Sequence, residues 1–222
     1  MLIMNRIVAV VPVRAGSTRI VDKGIRPFAD TTLLDIKISS LKKAKSLTDI
    51  VVSSDSDEAL DIARSHGVSC HRREDYYASS ACSGSEFFEN LAHSIDSDII
   101  VYSPPTSPFI TPETVEKAIF AYKSQDCDSV ATVFPVKHHM WHKGKTLNYD
   151  ISDSPNSQDL PEIVRITYGV CINSNKNVIK YKNIVGINPF FINLCEKEAV
   201  DIDNMIDFKF AEFLKVGEEK IV

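Results

Sequence analysis

Two stretches of this chain carry residue types at spacings that suit chemistry on a phosphate group. Residues 14–24 read Arg-Ala-Gly-Ser-Thr-Arg-Ile-Val-Asp-Lys-Gly. Gly16 and Ser17 permit close backbone approach to a ligand. Arg14, Arg19 and Lys23 can neutralise phosphate oxygens, the arginines in a bidentate manner. Near the other end stands Val200-Asp-Ile-Asp203. Extended alternation there places the carboxylates of Asp201 and Asp203 on one face, about 7 Å apart along a strand. Two acids on one face can hold a hard cation. Mg²⁺ suits such a pair, because it keeps several waters and is shared with substrate phosphates. The competing reading is that both aspartates cap the closing helix.

These residues need a scaffold, and the hydrophobic pattern supplies one. Residues 6–13 form a continuous β-rich apolar run, the pattern of a strand covered on both faces. The spacing predicts helices over 33–44, 57–66, 83–94, 112–124 and 203–215. Strands are predicted over 49–54, 68–70, 98–102 and 129–134, with regular structure resuming near 166–172. Strand and helix alternate, which predicts βαβ crossovers and an open, mostly parallel α/β sheet in a single domain spanning 1–222. Ligands of such sheets bind beyond the carboxyl ends of the strands, where the 14–24 loop must lie. Residues 137–161 break every periodic run and read as an inserted arm.

Composition narrows the function classes. At 222 residues with 44% hydrophobic and 25% charged, the chain can bury one substantial core, and a net charge of −5 gives no broad positive surface for nucleic acid or anionic lipid. The five cysteines, Cys70, Cys82, Cys127, Cys171 and Cys195, are dispersed and odd in number, the usage of reduced thiols in a cytosolic protein. No apolar run reaches the roughly 20 residues of a membrane span. The apolar start runs into Arg14 without a cleavage pattern, so no signal peptide or membrane anchor is expected. The 14–24 loop is neither a Walker A motif nor Gly-x-Gly-x-x-Gly, which disfavours an ATPase or a dinucleotide dehydrogenase.

Four segments in order carry a resemblance. Val11-Pro-Val-Arg-Ala-Gly-Ser17 with Lys23, Ile50-Val-Val-Ser-Ser-Asp55, Pro105-Thr-Ser-Pro108, and Val200-Asp-Ile-Asp203 followed by Asp207-Phe208 and Ala211-Glu212 resemble the acylneuraminate cytidylyltransferase family. The resemblance implies a Rossmann-like sheet of the nucleotide-diphospho-sugar transferase type. It also implies transfer of CMP from CTP to the anomeric hydroxyl of a sialic-acid-like (nonulosonic) sugar, with release of pyrophosphate, in a homodimer joined through the 137–161 arm. On that reading Arg14 and Lys23 hold phosphates, backbone around Ala15, Gly16 and Ser17 assists, and Ser83 lies near the nucleotide, where it can equally cap the following helix. Asp203 with Asp201 binds Mg²⁺. His138 and His139 match a His-His pair in the family's arm, with a subunit contact built together with Trp141 and His142 as the alternative, and adjacent histidines in one loop lack the spacing of a good zinc site.

Several positions depart from the family pattern. Thr18 stands for a basic residue, Gly24 for Asn, Pro104 for Gln, Ile110 for Arg, Ser157 for Arg and Tyr168 for Asn, while Arg165 is displaced by one. The nucleotide-facing residues match better than the sugar-facing ones. A modified nonulosonic acid or another acidic sugar is therefore expected in place of plain N-acetylneuraminate. Two other readings stand beside it: a same-fold nucleotidyltransferase using another nucleotide or acceptor, and a nucleotide-binding relative without turnover.

Overall fold

A computed structural model describes residues 5–16 and 19–219, so Ser17 and Thr18 lie outside the described residues. In chain order the elements are β1 (Ile7–Pro12), β2 (Pro27–Phe28), β3 (Thr31–Thr32), α1 (Leu33–Leu41), β4 (Asp49–Ser54), α2 (Asp57–Ser65) and β5 (Ser69–Arg72). There follow α3 (Asp75–Ala78), α4 (Gly84–Ser94), β6 (Ile99–Tyr102), α5 (Pro112–Ser124) and β7 (Ser129–Pro135). The remainder comprises β8 (Trp141–His142), β9 (Lys145–Thr146), a 3₁₀ turn (Ser157–Asp159), β10 (Val164–Ser174), α6 (Asn175–Tyr181), β11 (Pro189–Asn193) and α7 (Met205–Glu219).

Seven strands form one sheet in the order β11-β7-β10-β6-β1-β4-β5. All run parallel except β10, which pairs antiparallel with both β6 and β7. The continuous apolar run of β1 is explained by its central place. Ile7, Ala9 and Val11 point into one core with Leu34, Ile38 and Val115, while Val8 and Val10 point into the opposite core with Leu91 and Val178. Burial on both faces removes the usual alternation of apolar and polar residues. A third cluster packs Phe208 and Ala211 of α7 against Ile20, Phe28 and Leu33, which ties the closing helix to the segment after β1.

The strand order reverses at β1, with β4 and β5 on one side and β6 on the other. That reversal leaves a crevice at the carboxyl ends of β1 and β6. Helix starts are fixed by side-chain caps: Thr32 for α1, Ser56 for α2, Ser83 for α4, Thr111 with Pro112 for α5 and Ser174 for α6.

β10 is not a plain strand. Its register jumps between Ile166, opposite Val133, and Cys171, opposite Ala131, so residues 167–170 face Thr132 alone. This bulge is stitched by two hydroxyls. Thr167 donates to the Thr132 carbonyl at 3.0 Å, and the Val170 N–H donates to the Thr132 hydroxyl at 3.0 Å. Within the bulge Tyr168 adopts φ 55°, a left-handed conformation unusual for an aromatic residue.

The predicted irregular segment 137–161 contains a small hairpin, β8 with β9, turned by Lys143 and Gly144 at φ 48° and 78°. Two successive positive φ values are the signature of a type I′ turn.

Candidate active site

A cavity of about 410 Å³ opens at the switch point. Its walls come from the loop after β1, the segment from Arg73 to Phe87, the loop after β6, the β10 bulge and Asp201. Four of the lining residues are basic (Arg14, Arg19, Lys23 and Arg73) and one is acidic, so the cavity is built for an anion.

The predicted basic loop stands at the cavity mouth. The Asp55 carboxylate, just past the end of β4, accepts the Ala15 N–H at 3.0 Å and so fixes the loop's departure from β1. Arg14 and Gly16 are exposed, and Arg14 lines the cavity. Lys23 is half-buried and donates to the Ile202 carbonyl. Burial pulls its ammonium pKa below the ordinary lysine value, while Asp203 and Asp201 pull it back up. Lys23 thus joins the two predicted ends of the site across nearly the whole chain. Gly24 packs closely, since a Cβ there would lie 3.0 Å from Val13 Cγ1.

Asp201 and Asp203 are not on a strand. Residues 200–203 form a loop anchored by the Ile202 N–H on the Thr106 carbonyl at 2.9 Å. The expected strand pairing is absent because Ile202 is drawn into the third apolar cluster and its backbone is claimed by the loop after β6. The two carboxylates nevertheless act on each other and on the Lys23 ammonium. The Asp201 carboxyl pKa is raised, first by burial and also by the Asp203 charge, against a hydrogen bond from Thr106. Asp203 is exposed and pairs with Arg19 at 2.8 Å.

Neither aspartate caps α7. Asn204 Oδ1 accepts the N–H groups of Ile206 and Asp207 at 2.9 and 3.2 Å, and Asp207 accepts those of Asp203 and Asn204, both at 2.9 Å. The capping work is done by neighbours, which leaves Asp201 free to line the cavity and Asp203 free to pair with Arg19.

The pair fits a divalent cation of the magnesium type by its donor chemistry. The Asp203 charge raises the cost of ionising Asp201, and a hard cation relieves that cost. Among the described residues no group of three or more metal-ligating side chains forms, so the remaining positions would fall to water and phosphate.

Ser83 lines the cavity, but its hydroxyl is used in a capping box. It accepts the Glu86 N–H at 3.2 Å, while the Glu86 carboxylate accepts the Ser83 N–H at 2.8 Å. Of the arm histidines, His139 has structural contacts. His139 packs edge-on against Tyr149 at 4.6 Å and contacts the Pro155 carbonyl at 2.9 Å.

Arg73 is the functional-looking residue that sequence reasoning misses. It is 4% exposed, its guanidinium donates to the Val13 carbonyl and lies over Phe87 at 5.3 Å, and its Nε has no partner. Burial lowers its pKa, opposed by Asp55. Its signal, a lone Arg-Arg-Glu after a short strand, resembles any solvated surface run. Only the fold shows the side chain turned inward. Arg165 donates to the Ala199 carbonyl at 3.0 Å and its charge bears on Asp201 despite the shifted register.

Comparison with known proteins bears on the family and the fold. A family model described as cytidylyltransferase matches residues 8–162. The chain is 28% identical over 233 residues to CMP-N,N'-diacetyllegionaminic acid synthase of Legionella pneumophila subsp. pneumophila, covering 98% of this chain and 100% of that protein. In fold it is similar to a 4-diphosphocytidyl-2C-methyl-D-erythritol synthase from Anaerococcus prevotii, with a TM-score of 0.71 at 15% identity, covering 96% of this chain and 99% of that one. It is also similar to a CMP:2-keto-3-deoxy-manno-octonic acid synthetase complexed with CTP, with a TM-score of 0.67 at 12% identity and the same coverage.

Proposed function

Since the chain belongs to the cytidylyltransferase family, we propose that it transfers CMP from CTP to the anomeric hydroxyl of an acidic, sialic-acid-like sugar and releases pyrophosphate. The observation that carries this reading is the meeting of Lys23 and Asp201 in a cavity whose other charged lining residues are cations, with the Asp203 charge acting on both. In the reaction the sugar oxygen forms a bond to the α-phosphorus, the bond from that phosphorus to the bridging oxygen breaks, and the hydroxyl proton passes to solvent. Such a displacement needs positioning and charge neutralisation more than a protein nucleophile.

Arg14, Arg19 and Lys23 bind the phosphates, with the backbone of Ala15, Gly16 and Ser17 alongside. Arg73, its guanidinium fork fixed by Val13 and Phe87, donates into the nucleotide side of the cavity. Asp201 and Asp203 hold a magnesium ion. When bound, that ion neutralises charge on the phosphates and the departing pyrophosphate. The acidic class of acceptor is supported by the name of the Legionella relative and by Arg165, a cation whose charge bears on Asp201. Tyr168, which lines the cavity, favours an acceptor with apolar substituents. A CTP-consuming enzyme with five unpaired cysteines acts in a reducing cytoplasm. Two copies join through the 137–161 arm, where Trp141, Leu147 and Ile151 are exposed.

The test is pyrophosphate release with CTP and a panel of nonulosonic and octulosonic acids, preceded by thermal shifts with CTP, UTP, ATP and GTP in Mg²⁺. Selective protection by CTP, with turnover only when an acidic sugar is present, is expected. Protection by another nucleotide, or turnover with a neutral polyol alone, would replace this reading.

A further inference from the structure

Lys37 is the most deeply buried cation of the chain's described residues, at 1% exposure. It lies on the inner face of α1 between Leu34 and Leu41, both core residues, and no carboxylate is hydrogen-bonded to it. Its ammonium donates to the Ser107 carbonyl at 2.8 Å and to the Ser103 hydroxyl at 3.1 Å. Ser103 in turn donates to the Gly169 carbonyl at 2.8 Å. A buried, uncompensated charge is costly and is retained only where its hydrogen bonds have no apolar substitute.

Those bonds have a common destination. Ser103 and Ser107 bracket the loop after β6, whose Pro104, Pro105 and Thr106 line the cavity. Gly169 adjoins Tyr168 and Thr167, which line it from the β10 bulge. The β6–β10 ladder ends at Tyr102 and Cys171, and β10 is bulged against β7 beyond that point. Ser107 Oγ beside them is buried without a partner, and Lys37 is the side chain that ties the loop from within, alongside the Ile202 N–H on the Thr106 carbonyl.

We propose that Lys37 is a positioning residue, whose buried ammonium clamps the loop after β6 to the β10 bulge and so sets the acceptor-side wall of the cavity. The consequence for catalysis rests on the proposed transferase function; the clamp itself does not. Burial lowers the Lys37 pKa to about 7, with Glu198 the opposing charge, in keeping with an ammonium placed where no ion pair offsets it. Glu198 is occupied by the Thr111 N–H and the hydroxyls of Thr111 and Thr114.

The experiment compares wild type, Lys37→Met and Ser103→Ala by amide hydrogen exchange and by kinetics. For Lys37→Met, exchange is expected to rise in peptides covering 103–110 and 166–170 but not in those covering β1 and β4. Protection by CTP should be unchanged. The KM for the acidic sugar should rise about tenfold or more while that for CTP stays within about twofold, since a small misplacement of one reactant suffices. Ser103→Ala keeps the Ser107 contact and should loosen 166–170 alone. Unchanged exchange in both segments, or a rise spread evenly over the sheet, overturns the clamp. If Lys37→Met does not fold, unchanged exchange at 166–170 in Ser103→Ala overturns it. Absence of pyrophosphate release by the wild type would refute the transferase reading, and the exchange data would still decide the role of Lys37.

Discussion

Asp203 carries the heaviest assignment of any single side chain, and its surroundings make it separable from the fold. It is exposed, its ion pair with Arg19 is on the surface, and α7 is capped by Asn204 and Asp207. Asp203→Ala should therefore lose turnover by about a hundredfold or more and keep the wild-type melting temperature within a few degrees. Pyrophosphate release and circular dichroism on the same sample check both halves. Arg73 is different, because its guanidinium is buried and directional. Arg73→Lys replaces a planar fork by a point charge. It should weaken CTP binding about tenfold or more, as expected for a lost charge-assisted hydrogen bond, and isothermal titration with CTP reads this directly.

Lys37 also predicts a pH effect on stability, and its sign follows from proton linkage. The folded-state pKa, about 7, lies below the ordinary lysine value of 10.5, so between those limits the unfolded chain binds more protons. Stability then rises with pH across that window, and the burial cost is fully present below it. Urea denaturation between pH 7 and pH 10 should show a rise in wild type that is flattened in Lys37→Met. An identical slope in both proteins would show that Lys37 does not titrate there.

Among the elements, the β10 bulge is closely packed against the core. A Cβ on Gly169 would stand 2.7 Å from Ile110 Cδ1 and 3.1 Å from its Cγ1, and Ile110 is itself buried. Gly169→Ala should cost about 1–3 kcal/mol by overpacking, measured as a lower urea midpoint. Adding Ile110→Val should recover part of the loss.

The same element marks where sequence reading stops. β1, β4, α5 and β7 are legible from apolar runs and caps to within a residue or two. β10 reads only as 166–172, because its bulge interrupts alternation at Thr167 and Tyr168. β11 and α6 go unpredicted, since Pro189 and the polar Asn175-Lys-Asn177 start hide them. The basic loop and the paired aspartates are visible as residue types. Their meeting through Lys23 and Ile202 is a tertiary fact that no spacing contains. Lys37 is concealed for a similar reason: a lysine near the lysine-rich end of a predicted helix reads as solvated, although its spacing from Leu34 and Leu41 places it inward.

At the scale of the whole molecule, the arm is the proposed subunit contact. Ile151 and Leu147 are 68% and 56% exposed, and Trp141 leans on Tyr149 with a ring separation of 6.2 Å. Ile151→Asp should convert a dimer to a monomer in sedimentation velocity, with the α/β core still folded. A wild-type monomer, or a variant that still dimerises, would remove the arm from assembly.

The antiparallel placement of β10 has a consequence for how the molecule comes into being. β1, β4, β5 and β6 are neighbours that lie within the first 102 residues, so they can associate early. β7 cannot join them directly, because β10 must first be laid between β6 and β7, and β10 ends only at Ser174. Contacts that close long loops form slowly. The β6-β1-β4-β5 side of the sheet is thus expected to assemble before the β10-β7-β11 side, during synthesis as well as in refolding. A chain stalled before residue 164 would hold a four-stranded sheet with one raw edge at β6, and that edge is where misassembly should begin.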